Sequence, residues 1–358
     1  MIYTKNKKVL FRCEANMKIG FGHLSRCLAI ADILKNKYKY SVLFVIKNDQ
    51  KAIEKLIFNN YEYEVIDDEK INNKNSISQI IKFYKIKFIF IDLKNTSSLE
   101  EFKILKKQGL IIATLDDSSD LRLISDLVFL PPLPQVKKLN WDNFDGALYI
   151  GWNWMPVRKE FLDLRRMNKS KSYKNFKSRQ IKFLITMGGS DPKGFTISAL
   201  NLLNEFVKIE KINIQVKVIL GASFNLFDQI NKFRSYSDLH FLVYKNVNNM
   251  HDFISETDLG LISFGSTAYE FATLGVQCFY YCLTQDHQIS ANEFEKNFYG
   301  KTFDFNEKLE VKKLLPLLIN HINFLNKKNI ELDHFNERIN GEGSNNIAKV
   351  IHDKINSI

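Results

Sequence analysis

The sequence predicts an α/β chain made of two parallel-sheet domains. Three observations predict it. Short apolar, β-rich runs alternate with helical patterns through the first half of the 358 residues. A proline-containing, basic stretch then breaks the rhythm. The alternation restarts after residue 180, and in both halves a turn of small residues follows the first strand.

Taken in order, Val9 to Cys13 reads as a strand, and Leu24, Cys27, Leu28, Ala31 and Leu34 recur at helical spacing. Ser41 to Ile46 is an unbroken apolar run, suited to a strand covered on both faces. A helix near Ala52 to Phe58 follows, then strands at Phe88–Asp92, Leu110–Leu115 and Leu127–Leu130. Pro131-Pro132-Leu133-Pro134 is stiff and non-helical. Residues 156–180 are read as a polar, basic linker, in which Asn168 to Ser172 has little to bury. The second half opens with a strand at Ile181–Met187 and a helix at about Phe195–Phe206. Strands at Val216–Leu220, Phe241–Val243, Leu259–Ser263 and Cys278–Leu283 follow. Helices are expected at Met250–Glu256, Ser266–Leu274 and Ser290–Phe298, and the tail, 307–358, reads as helical. The reading is therefore an N-terminal Rossmann-like domain over 1–155, a linker, and a C-terminal Rossmann-like domain with a helical tail over 181–358. The two domains are expected to face each other across a cleft.

Composition excludes several classes. Apolar residues make up 45% and charged residues 25%, which suits a folded chain and not a disordered one. No run reaches the roughly 18 apolar residues of a membrane helix, and the amino terminus has no signal-peptide apolar region, so a cytoplasmic protein without integral membrane association is expected. The net charge of +11 is spread along the chain without a basic block, which reads as solvated lysines rather than a nucleic-acid surface. Cys13, Cys27, Cys278 and Cys282 form no CxxC pair, so they read as buried free thiols and not as a zinc site. The 29 phenylalanines follow the strands and helices and read as core.

The chemistry-bearing motifs sit at strand-to-helix turns. Ile19-Gly20-Phe21-Gly22-His23-Leu24-Ser25-Arg26 joins the first strand to the first helix. Its glycines permit a sharp turn and close approach of a ligand, and the helix start offers free N–H groups. His23 is the first histidine in the chain; the next is His240. A dinucleotide fingerprint fits poorly, because Ser25 stands where a third glycine belongs, although Asn48-Asp49 ends the next strand. Thr186-Met187-Gly188-Gly189-Ser190-Asp191 repeats the arrangement in the second half, as a backbone N–H cradle or as an ordinary turn whose Asp191 caps the helix. Ser263-Phe264-Gly265-Ser266-Thr267-Ala268-Tyr269-Glu270 places Ser266 and Glu270 on one helix face, where a carboxylate can accept two ribose hydroxyls. Thr284-Gln285-Asp286-His287-Gln288 is a polar loop after a strand. Asp116-Asp117 reads as structural, and His240, His251, His321, His334 and His352 as surface or cap residues.

Together these motifs resemble a known family. Gly20 to Arg26, Met187 to Asp191 and Ser263 to Glu270 are similar, in order and spacing, to the UDP-2,4-diacetamido-2,4,6-trideoxy-β-L-altropyranose hydrolases of pseudaminic acid biosynthesis and their spore-coat polysaccharide relatives. The resemblance also touches Leu115-Asp116-Asp117, Pro156 to Phe161 and Asn340 to Ser344. It implies a GT-B-like fold and hydrolysis of a UDP-linked amino sugar, without a cofactor or metal. Carried over by position, His23 becomes the catalytic base that activates water. Gly188, Gly189 and Ser190 become diphosphate contacts, Gly265 and Ser266 lie near the phosphates, and Glu270 lies near the ribose. Gly20, Gly22, Arg26, Asp92 and Gln285 fall on the sugar side. The chain departs from the pattern at Asp92-Leu93-Lys94, which lacks an aromatic group, at Thr284-Gln285 and at Pro131-Pro132. A GT-B glycosyltransferase using His23 on an acceptor hydroxyl, and a noncatalytic nucleotide-sugar-binding protein, stay open as alternatives. The partner expected is a small-molecule UDP-sugar, with the oligomeric state left open.

Overall fold

A computed structural model describes residues 7–16, 19–66, 76–93, 99–167, 176, 179–298, 300–304, 310–327 and 339–357. The chain divides into two compact units, one of residues 1–158 with 341–358 and one of residues 159–340. Lys94, His334 and Asn168 to Ser172 lie outside the described residues.

The first unit carries β1 (Lys8–Cys13), β2 (Ser41–Lys47), β3 (Glu62–Ile66), β4 (Phe88–Asp92), β5 (Ile111–Leu115), β6 (Leu127–Leu130) and β7 (Ala147–Ile150). They form one parallel sheet in the order β3-β2-β1-β4-β5-β6-β7. Its helices are α1 (Gly22–Asn36), α2 (Gln50–Phe58), α3 (Ile77–Phe83), α4 (Leu99–Lys107) and α5 (Leu121–Ile124). The central strands are buried along nearly their whole length, which is why they read as unbroken apolar runs. Of the outermost strands, β3 is mostly half-buried and β7 largely exposed, and the sequence reading passes over both. In α1 the side chains at helical period, Leu24, Cys27, Leu28, Ala31 and Leu34, are the buried face. Asp49 starts α2 by accepting the Ala52 N–H at 2.9 Å.

The second unit opens with α6 (Lys159–Met167), which the sequence assigned to the linker; Phe161 and Leu162 are buried and hold it down. Next come β8 (Ile181–Thr186), α7 (Phe195–Glu210), β9 (Ile214–Leu220), α8 (Phe227–Tyr236), β10 (Phe241–Lys245) and α9 (Met250–Ser255). The unit ends with β11 (Leu259–Ser263), α10 (Ser266–Thr273), β12 (Gln277–Tyr281), α11 (Gln285–Phe298), β13 (Lys301–Thr302) and α12 (Val311–Lys327). The strands form a second parallel sheet, β10-β9-β8-β11-β12-β13. Phe183, Phe206, Phe233, Phe279 and Tyr281 fill its core, so the aromatic residues here are packing.

The last helix, α13 (Gly343–Asn356), corrects the predicted boundary, since it belongs to the first unit and not to the second domain with which 181–358 was grouped. The reason is local fit. Ser344 Oγ donates to the Val157 carbonyl at 2.8 Å and accepts the Val157 N–H at 3.1 Å. A Cβ at Gly343 would collide with the Met155 carbonyl, so only glycine lets the chain pass there. His352, expected as a surface or cap residue, is half-buried and stacks on Tyr38 with ring centroids 4.2 Å apart. His321, read the same way, is buried against Phe279.

Both sheets reverse direction once. In the first the chain leaves β1 on one side and returns to β4 on the other; in the second it does so between β8 and β11. Such a reversal opens a crevice at the carboxyl ends of those strands, the general position for ligands in open α/β sheets.

Candidate functional site

In the first unit, the reversal point holds a connected polar cluster. β4 ends on Asp92, whose side chain is fully buried. α1 starts opposite it and presents His23 and, three residues on, Arg26 from the same face. His23 Nδ1 lies 2.6 Å from Asp92 Oδ1. Arg26 grips the same carboxylate with two bonds, from Nε to Oδ2 at 3.0 Å and from Nη2 to Oδ1 at 2.7 Å. Its Nη1 donates to Asp116 Oδ2 at 3.1 Å. Asp116 takes a left-handed backbone, φ +55°, at the end of β5, which turns its side chain toward the cluster.

The charge on Asp92 favours one tautomer of the ring. Burial alone raises the pKa of the Asp92 carboxyl, but Arg26 and His23 outweigh it and hold the group below its ordinary value. Burial works against the Arg26 charge too, and Asp92 with Asp116 more than restores it, so the guanidinium pKa is raised. An ionised carboxylate only accepts hydrogen bonds. The 2.6 Å contact to the carboxylate therefore takes a proton on Nδ1, with the Arg26 donor Nη2 3.1 Å from the same nitrogen, and with Nδ1 protonated the neutral ring leaves Nε2 its lone pair. The His23 side chain keeps 21% of its surface exposed against none for Asp92, so the histidine is the member of the pair that can meet a ligand. Burial pushes the neighbouring Cys27 thiol up, which keeps it out of thiolate chemistry at neutral pH.

The loop that delivers His23 is held by its own backbone. The Gly20 N–H donates to the Asn16 carbonyl at 2.8 Å, and Gly20 stands at φ +82°, where an L side chain is strained. Gly22 is the first residue of α1, and no side chain caps that helix. Asp92 and Arg26, expected on the sugar side, are bonded to each other and to His23, and the Asp92 side chain has no exposed surface. Asp116, read as structural, joins the cluster through its pair with Arg26. Its place after a strand was the available signal, since Arg26 reaches it only in three dimensions.

In the second unit, three turns converge at the reversal point. Gly188 has φ +73°, and a Cβ built on it would lie 3.4 Å from Ser263 Oγ, so the turns after β8 and β11 lie side by side. A Cβ at Gly221 would strike the carbonyls of Gly188 and Gly189, and the Ser223 N–H donates to the Gly189 carbonyl at 2.9 Å. Gly221 is thus a packing requirement of this turn, which its place at a strand end did not disclose. Asp191 is buried and accepts the N–H groups of Phe195 and Thr196, both at 2.8 Å, so it caps α7. Ser190 stays partly exposed beside it. Across the turn, Ser266 begins α10 and Glu270 stands one turn further along. A Cβ at Gly265 would meet nothing within 4 Å, so space lies open over this backbone. Gln285 is exposed at the first position of α11, after β12, whose start is capped by Thr284 Oγ1 accepting the His287 N–H at 3.2 Å. Among the described residues, no cluster of histidine, cysteine and carboxylate side chains is arranged to hold a metal, and no helix is long and apolar enough to cross a membrane.

The two sheets and their reversal points define a GT-B fold of two Rossmann-like domains. A UDP co-structure of S. aureus MnaA shares that fold over 98% of both chains, with a TM-score of 0.65 and 11% sequence identity. By sequence, the chain is 23% identical over 306 residues to the UDP-2,4-diacetamido-2,4,6-trideoxy-β-L-altropyranose hydrolase of Campylobacter jejuni, covering 83% of this chain and all of that one. It is 26% identical over 277 residues to an uncharacterized protein of Methanocaldococcus jannaschii, covering 75% of this chain. That alignment takes in 54% of the archaeal protein, so the chain spans about half the length of this relative. No family model matches the chain.

Proposed function

We propose that this chain hydrolyses a UDP-linked amino sugar of the diacetamido-trideoxyhexose class, giving free sugar and UDP for surface-glycan biosynthesis in the cytoplasm. The observation that carries the reading is the 2.6 Å contact between His23 Nδ1 and the buried Asp92 carboxylate, which leaves Nε2 as a base. Similarity to the Campylobacter hydrolase along that protein's whole length supports the substrate class, and the UDP held by the fold neighbour supports the nucleotide.

In this mechanism Nε2 of His23 takes a proton from water as the water oxygen bonds to the anomeric carbon. The bond from that carbon to the diphosphate oxygen breaks, and UDP leaves with the electron pair. Asp92 holds the ring in the required tautomer and stabilises the imidazolium formed; base assistance of this kind contributes about 10²–10⁴-fold. Arg26 keeps Asp92 ionised, so both are positioning residues. Backbone N–H groups around Gly188, Gly189, Ser190, Gly265 and Ser266 stabilise the charge growing on the diphosphate. Glu270 accepts from the ribose hydroxyls. Gly20 and Gly22 give the sugar close access to the backbone, and Gln285 meets its polar substituents.

The test is turnover of purified protein on UDP-linked diacetamido sugars, followed by NMR of the product anomer. Acceptor-independent release of UDP with inversion at the anomeric carbon is expected. A second reading, transfer to an acceptor hydroxyl with His23 as the same base, is favoured by one feature: Leu93, directly after Asp92, is buried and brings no polar group to the sugar side. Release of UDP only when an acceptor is added assigns the chain to that reading.

A further inference from the structure

The lysines that look scattered in the sequence are gathered by the fold. In a parallel sheet every helix returns the chain to the edge where the strands begin, opposite the reversal-point crevice. In the first unit the returns to β2, β4 and β5 are basic, whereas those to β6 and β7 carry Asp126 and Asp145. Lys37 and Lys39 precede β2, Lys85 and Lys87 precede β4, Lys107 precedes β5, and all five are exposed. Exposed Lys7 precedes β1, and Lys82 lies in the last turn of α3. The segments touch one another. The Ser41 N–H donates to the Lys7 carbonyl at 3.2 Å, and the Ile111 N–H donates to the Lys87 carbonyl at 2.9 Å. At about 4.8 Å per strand spacing, the stretch from β2 to β5 spans roughly 15 Å, about two Debye lengths at physiological salt. Of the exposed acids near this stretch, Glu62 is matched by Lys8 at 2.5 Å, and Asp353 stands at the end of α13 beside Tyr40.

Two phenylalanines project from the same edge. Phe58 ends α2 and is 77% exposed, and Phe83 ends α3 and is 80% exposed. Phe83 packs edge-on against Tyr84, over which Lys8 Nζ sits 4.7 Å from the ring centroid, so apolar and cationic groups are interleaved.

We propose that this amino edge of the first unit docks on an anionic lipid bilayer, with the lysines at the headgroups and Phe58 and Phe83 entering the interface. Lysine, a compact hydrated charge without a planar fork, suits headgroup attraction better than base recognition. Large apolar side chains set among such charges are the composition of an interfacial contact and bring nothing to a phosphate backbone. The edge lies at the opposite end of the strands from His23, so docking leaves the base uncovered.

The test is co-sedimentation of the full chain with phosphatidylcholine vesicles, with and without about one-third phosphatidylglycerol. Binding to the anionic vesicles alone, falling steeply with salt, is expected. The pair Lys85→Glu with Lys87→Glu should weaken partitioning more than tenfold, since each charge near the surface is worth roughly fivefold. Phe58→Ser with Phe83→Ser should weaken it severalfold while keeping the salt dependence. All four residues are exposed, and thermal melts check that the variants fold. Equal binding to both vesicle types, absence of binding to either, or salt-insensitive binding by the unaltered chain overturns the proposal. So does duplex DNA or RNA binding that needs Lys85 and Lys87 while vesicles are ignored.

Discussion

His23 and Asp92 show how much a single contact decides. The imidazole faces a carboxylate that Arg26 and His23 together hold ionised inside the protein. Asp92→Asn keeps the size of the side chain but removes its charge, so the ring loses its fixed tautomer. Turnover should fall about 10²–10⁴-fold with UDP affinity unchanged, measured by steady-state kinetics beside isothermal titration with UDP. His23→Asn should lose about 10²-fold or more in turnover and also keep UDP affinity; residual activity equal to that of the unaltered chain removes the histidine from the mechanism. The same carboxylate carries an acid-stability prediction. Its folded pKa lies below the ordinary carboxyl value of 3.8, so its contribution is complete above that value and is lost as pH falls through the folded pKa. Asp92→Asn should therefore flatten the acid limb of the stability curve, read from urea midpoints against pH.

At the scale of elements, α12 and α7 carry the informative features. His321 on α12 is buried beside Phe279, and burial pulls its pKa down from 6.5 to about 4. The unfolded chain then takes up a proton before the folded one does. Stability is complete above about pH 6.5 and falls as pH drops from there toward 4, by about 3 kcal/mol in total. His321→Leu should remove that slope from chemical unfolding of the second unit. On α7, Asp191 caps two N–H groups while holding φ +46°, so Asp191→Ala loses the cap and strains the backbone. A loss of about 2 kcal/mol is expected, with weaker UDP binding because the Gly188–Ser190 turn runs directly into this cap. These elements were partly legible. The apolar runs of β1, β2, β4 and β5 could be read because strands covered on both faces must be apolar throughout. Glu62-Tyr63-Glu64-Val65 could not, because an outer strand that is only half-buried needs no such run.

At the scale of the molecule, the chain crosses from the first unit to the second after Arg158 and returns at Gly341. Gly343→Ala puts a methyl group onto the Met155 carbonyl and should loosen α13. Hydrogen exchange is expected to lose protection in α1 and α13 while the sheet of the second unit keeps its own. Equal loss in both units would mean that the tail does not serve the first one alone.

Read alone, the sequence determined the α/β class, the two-domain organisation and the small-residue turns at strand ends, and it singled out His23 as the residue to watch. Each of these is written locally, in runs of apolar residues, glycines at strand ends and one isolated imidazole. The tertiary structure decided what depends on residues far apart in the chain. It joined Asp92 and Asp116 to Arg26, made Asp92 a buried support, returned the last helix to the first unit, and collected dispersed lysines on one edge. The physical reason is that local periodicity reports which face of an element is buried, whereas charge pairing and edge composition are set by which elements the chain brings side by side.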